Sequence, residues 1–147
     1  MVPEASLERV TADVGYSGTP LPTKLGIVAD RRVLVLGAPV GFLDTTLGAV
    51  PGATVHVRAG STPYDVVLAF ATSARVLTTR LDAGRRRLTT PGAIWLMWPK
   101  KSSGVSTDLS ESVVREMGLA TGLVDVKVAA IDVTWSGLKF TTRVRDR

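Results

Sequence analysis

Three short segments of this chain are apolar without alternation: Val33 to Leu36 in RRVLVLG, Val66 to Phe70 in YDVVLAF, and Ala93 to Trp98 in AIWLMW. A half-exposed strand alternates apolar with polar residues, whereas a run that is apolar at every position needs cover on both faces of its sheet. Helical signals lie between the runs. Thr72-Ser73 can cap a helix whose inner side carries Val76, Leu77, Leu81 and Leu88 and whose basic outer face carries Arg75, Arg80 and Arg86. Asp108 and Glu111 have the spacing of a capping box, and Leu109, Val113 and Met117 then recur at helical spacing until Gly118. Strand and helix alternate until VDVKVAAIDV and LKFTTRV, which read as a hairpin around Trp135-Ser136-Gly137. The expected class is α/β, with a mostly parallel sheet and an antiparallel C-terminal hairpin.

The smaller elements follow from local chemistry. Thr19 before Pro20 reads as an N-cap with proline at the first helical position, and Gly26 as the stop of a short helix. APVGFLDTTLGAVPG is a loop with a short helix, closed by a Pro51-Gly52 turn, and ATVHVRA is a second strand. A Pro91-Gly92 turn precedes AIWLMW, in which Trp95 and Trp98 project to opposite faces because strand side chains alternate. Residues 1–15 show no sustained apolar period and are expected to form a flexible tail, leaving 16–147 as a single domain.

Composition narrows the function classes. A chain of 147 residues, 45% hydrophobic and 21% charged, suits one domain with its own core. With no cysteine it cannot form a disulfide or use thiolate chemistry, which suits a reducing cytoplasm, and one histidine makes a metal centre unexpected. The longest apolar run, Val33 to Leu43, is too short to span a bilayer, and the N-terminus lacks the basic and apolar regions of a secretory signal, so no membrane association is expected. The net charge of +5 favours anionic partners. It is scattered among Arg31-Arg32, Arg85-Arg86-Arg87, Lys100-Lys101 and the tail TTRVRDR, without an arginine-rich arm or basic and aromatic alternation, which favours a solvated basic surface over a nucleic-acid interface.

The sharpest candidate for a site is WPKKSSGVSTDLSE. Ligands of open α/β sheets bind outside the carboxyl ends of the strands, where this loop leaves AIWLMW. Pro99, Lys100, Lys101, Ser102, Ser103 and Gly104 offer two ammonium groups, hydroxyls and a flexible hinge, followed by Ser106, Thr107 and a helix N-terminus, so a phosphate, carboxylate or nucleotide is the expected ligand. The alternative is a solvated turn whose helix N-terminus is already capped by Asp108. Gly37, Pro39, Gly41 and Phe42 after the first strand and Ser73 after YDVVLAF belong to the same candidate set. Trp135 can stack on a ligand or cap the core. His56 reads as a surface or strand histidine without a legible partner, and Asp125 and Asp132 as outward-facing acids of an edge. The hydroxyls of Tyr16 and Ser17 are candidates for a flap over the site.

The order of strand, glycine-containing loop, YDVVLAF, RRRLTTPGAIWLMWP and terminal hairpin resembles the core of class I S-adenosylmethionine-dependent methyltransferases. YSGTPLPTKLGI, WPKKSSGVSTDLSE and GLVDVKVAAIDVTWSGLKF resemble an uncharacterised bacterial domain-of-unknown-function family, common in actinobacteria, across nearly the whole chain from Tyr16. The resemblance implies a Rossmann-like, truncated methyltransferase-like three-layer sandwich, and S-adenosylmethionine is the cofactor it suggests. Against the methyltransferase pattern of an acid in the first strand and GxGxG at its end, Val35 falls at the acid and Pro39 at the middle glycine. Pro39 has no N–H to donate and a φ fixed near −65°. The acid expected to end the second strand falls on Arg58, which cannot accept a hydrogen bond. Arg58 also lies 21 residues beyond Gly37, where some dinucleotide folds place an arginine for the 2′-phosphate of NADP, but GxGxxG is absent.

A third strand unit is missing as well. Ala59 to Tyr64 reach at most ~20 Å, about what a return along a ~17 Å strand and across two strand spacings requires. The second strand must therefore be very short or antiparallel. Two functional readings remain. One is a non-catalytic, degenerate methyltransferase-like module that binds an anionic small molecule or a protein partner. The other is an active small transferase using Lys100, Lys101 and Asp132 with an altered cofactor pose. A homodimer that completes the site is compatible with both.

Overall fold

The computed structural model describes residues 18–147, so the expected tail and the Tyr16 and Ser17 flap lie outside the described residues. Six strands form one sheet: β1 (Arg32–Leu36), β2 (Thr54–His56), β3 (Tyr64–Phe70), β4 (Leu88–Pro99), β5 (Leu123–Ala130) and β6 (Trp135–Thr142), in the spatial order β2-β1-β3-β4-β6-β5. The β2-β1, β1-β3 and β3-β4 pairs are parallel, and β6 lies antiparallel to both β4 and β5. The second strand is thus parallel and only three residues long, which is how a short connection can return the chain to β3.

The unbroken apolar runs do have two covered faces. Val33, Val35, Val66, Leu68, Trp95 and Met97 pack with Leu25, Ile27, Phe42 and Leu47 on one side. On the other, Leu34, Val67, Ile94, Leu96 and Trp98 pack with Leu77, Leu81 and Val114. The first layer comes from α1 (Leu21–Lys24) and a π-helical segment, Phe42–Leu47; the second comes from α2 (Ala74–Arg86) and α3 (Glu111–Ala120). Trp95 and Trp98 separate to opposite faces as the alternation requires, and the buried Trp95 indole donates to the Leu25 carbonyl at 3.2 Å.

Several local expectations are corrected. Pro20, not Thr19, stands at the α1 N-cap, with no side-chain bond. Leu88 opens β4 rather than closing α2. Pro91-Gly92 does not end an element: β4 runs through it, while its pairing with β3 jumps from Leu88↔Tyr64 to Ala93↔Val66. That irregularity leaves Pro91 in a stretch with no ladder bond to supply, the condition under which a strand tolerates proline. Helix α3 is capped by Ser110, whose Oγ accepts from Val113 N–H, whereas Asp108 accepts from Ala74 N–H at the start of α2. It also continues past Gly118 to Ala120. The hairpin turn is Ile131 to Thr134, and Trp135-Ser136-Gly137 belong to β6.

Candidate functional site

The carboxyl ends of β1 to β4 face one edge of the sheet, and the antiparallel hairpin brings its turn and Trp135 to the same edge, where Trp135 pairs with Pro99. β1 lies between β2 and β3, so the chain leaves β1 toward one side and later returns on the other. This reversal opens a crevice outside the strand ends, the usual ligand position in such sheets.

Next to it lies a cleft of about 380 Å³ lined by Val35, Gly37, Ala38, Pro39, Gly41, Leu43, Asp44 and Val57. Gly41 has φ 84°, a conformation natural to glycine, and a Cβ built on it meets nothing within 4 Å. Backbone therefore forms part of the cleft wall directly. Phe42, expected among the ligand contacts, is 1% exposed and packs edge-on against Phe70, 4.8 Å between ring centroids. Its role here is to fix the loop onto the core.

Two residues of this region had escaped the sequence reading. Asp44, in the π-helical segment, brings an exposed carboxylate to the cleft. Its signal was an acid only three positions after Gly41. Arg80, expected on the outer face of α2, instead folds back toward the sheet: one guanidinium nitrogen donates to the Phe70 carbonyl at the end of β3, and the group lies directly over Gly37. Helical side chains lean toward the helix N-terminus, which carries Arg80 in that direction. No local pattern in the sequence announces this contact.

The lysine loop is separately organised. Its first residues, Lys101–Ser103, form a 3₁₀ turn that ends at Gly104, φ 79°. Lys100 N–H donates to Thr134 O at 2.7 Å, which joins the loop to the hairpin turn. Ser103 Oγ donates to Lys100 O and accepts from Val105 N–H; Thr107 Oγ1 donates to Thr72 O and accepts from Leu109 N–H. These two hydroxyls hold the loop's shape. Lys101 and Ser102 are exposed, Lys100 is partly so, and Pro99 is buried. None of the loop's residues lines the Gly37 cleft.

Most of the remaining candidates have structural partners. Ser73 caps α2 by accepting from Val76 N–H. Asp132 Oδ1 accepts from Thr134 and Trp135 N–H, both at 2.8 Å, and so shapes the hairpin turn. Trp135 is 9% exposed and stands edge-on to Phe70 at 5.2 Å. Asp125 accepts from Arg115, whose pKa is raised first by that bond and then by Glu111. Arg58 is exposed beyond β2, while its neighbour Val57 enters the cleft. His56 does have a partner: its Nδ1 lies 2.6 Å from the buried Tyr64 hydroxyl, which also accepts from Gly60 N–H. The pair pins the β2–β3 connection.

No protein-family model matches this sequence, and no curated protein matches it either. Solved structures do resemble the fold. The N-methyltransferase NodS from Bradyrhizobium japonicum WM9 superposes with a TM-score of 0.58 at 12% identity, covering 84% of this chain and 92% of that one. Magnesium protoporphyrin IX methyltransferase (ChlM) from Synechocystis PCC 6803, solved with bound SAH, gives 0.58 at 12% identity, covering 95% and 82%. A SAM-dependent methyltransferase from Aquifex aeolicus gives 0.57 at 13% identity, covering 80% and 85%. At such identities the likeness concerns the fold alone, and the chain has a Rossmann-like, methyltransferase-like α/β architecture.

Proposed function

We propose that this domain binds S-adenosylmethionine in the cleft beside Gly37 and Gly41 and is a small methyltransferase. The observation that carries this reading is the position of the roughly 380 Å³ cleft, outside the carboxyl end of β1 where the chain direction reverses. Its residues fit a nucleoside-type ligand. Val35, Ala38, Leu43 and Val57 supply apolar walls, exposed Gly41 backbone permits close approach, and Asp44 can accept hydrogen bonds from hydroxyls where Arg58 cannot. The cofactor supplies an electrophilic methyl group on a sulfonium. The chain's own part is to orient that ligand, with Lys100, Lys101 and Asp132 at the same sheet edge as candidates for holding the acceptor.

One observation favours a second reading, a non-catalytic module that binds an anionic small molecule or a protein partner. Arg80 fills the space over Gly37 with a cation, and the lysines of the neighbouring loop extend the positive edge. The stretches WPKKSSGVSTDLSE and GLVDVKVAAIDVTWSGLKF resemble the actinobacterial family named above, which adds no activity to either reading.

Calorimetric titration with S-adenosylmethionine and S-adenosylhomocysteine separates the two. Micromolar binding that weakens about tenfold in Asp44→Ala, the loss of one or two hydrogen bonds to a charged acceptor, and falls further in Gly41→Val supports the first. Absence of binding to either compound would overturn it and leave the second.

A further inference from the structure

We infer that Arg80 reads the charge of whatever occupies this cleft, so that its ligand carries a carboxylate or phosphate against Gly37. The inference rests on the cleft being a ligand site and adds the chemical class of the group bound there.

Three features point the same way. First, the guanidinium is half-buried over the end of the sheet, and its one acceptor among the described residues is the Phe70 carbonyl. A guanidinium has five N–H donors, so most of its capacity is uncommitted. Second, no carboxylate among the described residues lies within ion-pair distance of it, in contrast to Arg115, which meets both Glu111 and Asp125. A partly desolvated cation without a counter-charge is costly, and an arriving anion relieves that cost. Third, the space is made for it: a Cβ at position 37 would fall 2.2 Å from one guanidinium nitrogen and 2.3 Å from its carbon. Only glycine at position 37 allows Arg80 to lie across the crevice between β1 and β3.

Arginine suits this task because its planar fork matches the two oxygens of a carboxylate or phosphate. The lysine loop is a weaker reader of charge in this cleft. Neither its residues nor Arg80 belong to the cleft's lining, but Arg80 lies over Gly37, which does, whereas Lys101 is solvated. Carboxylate and phosphate are separated by the choice of ligand pairs. S-adenosylhomocysteine and methylthioadenosine differ by the amino-acid end that carries the carboxylate; ADP and adenosine differ by phosphates.

The experiment is calorimetric titration of the full chain with these four compounds, using the wild type, Arg80→Met and Arg80→Lys, with thermal melts to verify folding. The expected result is that wild type binds the charged member of one pair at least about tenfold more tightly, as one charge-assisted contact provides. Arg80→Met abolishes that preference while leaving the neutral member's affinity within about twofold, and Arg80→Lys restores part of it. If S-adenosylhomocysteine binds wild type and Arg80→Met equally, or the variant more tightly, Arg80 is a plug rather than a reader, and the methyltransferase reading survives without it. If only ADP shows the Arg80-dependent preference, the inference stands and the methyltransferase reading falls. Binding of none of the four by the wild type overturns both. Should Arg80→Met fail to fold, Arg80→Gln takes its place: loss of the preference in Arg80→Gln supports the inference and full retention overturns it.

Discussion

Two glycines inside helices show how tightly the helical layer is set onto the sheet. Gly118 on α3 faces the fully buried ring of Phe140, and a Cβ there would stand 2.1 Å from Cε2 and 2.2 Å from Cζ. Gly84 on α2 faces Ile94 Cδ1 at 2.8 Å and Val67 Cγ1 at 2.9 Å, which are side-chain ends. Alanine in place of a helical glycine gains about 1 kcal/mol of backbone propensity, whereas overpacking costs about 1–3 kcal/mol. At Gly118 the aromatic ring cannot yield without disturbing β6, so Gly118→Ala is expected to lower stability by up to about 2 kcal/mol, the difference of those terms. Gly84→Ala loses less because methyl groups shift more easily. Urea unfolding of both variants checks this, and equal midpoints would contradict the difference in contact.

At the scale of elements, the caps decide where helices begin. Ser110 accepts from Val113 N–H in the first turn of α3, so Ser110→Ala is expected to cost about 1 kcal/mol. Glu111→Ala is expected to stay within about 0.5 kcal/mol, since the residue's contact is an exposed i,i+4 pair with Arg115. A capping box beginning at Asp108 predicts the reverse order for Glu111, so chemical denaturation of the two variants distinguishes the arrangements. The sequence suggested the wrong cap because Asp108 and Ser110 both have suitable side chains and only a distant contact decides between them: Asp108 is engaged by Ala74, in another helix. Strands were more legible. YDVVLAF coincides with β3 because the continuous burial of Val66 to Phe70 leaves its mark on every residue of that run, and the β5–β6 hairpin is legible except at its turn and at the end of β6, which stops at Thr142. The cleft was half legible. Gly37, Pro39 and Gly41 announce a backbone turn at a strand end, but Arg80 reaches Gly37 through folding alone, and Asp44 enters through a π-helical segment with no pattern of its own.

The whole molecule is basic, and the sheet places two of its lysines together. Lys139 on β6 pairs in register with Trp95 of β4 and Lys127 of β5. The Lys127 ammonium lies 5.9 Å from the centroid of the Trp95 ring, and Lys139 also lines a cleft with Arg31 and Asp65. Burial lowers the pKa of Lys139 below its ordinary 10.5, and the charge of Lys127 lowers it further. In the unfolded chain that depression is absent. Between the lowered folded value and 10.5 the unfolded state binds more protons, so Lys139 makes stability rise with pH across that interval. Below the interval both states are charged and the folded state carries the full penalty; above it both are neutral and the penalty is gone. Lys139→Met is therefore expected to be more stable than the wild type near neutrality, by a margin that narrows as pH climbs toward 10.5. Lys127→Ala removes only the repulsive part and should give a smaller gain. The difference between each variant's melting curve and that of the wild type isolates this site. Melting temperatures that keep a constant separation over the whole range would show that Lys139 is charged to the same extent in both states, and that its place beside Lys127 carries no electrostatic cost.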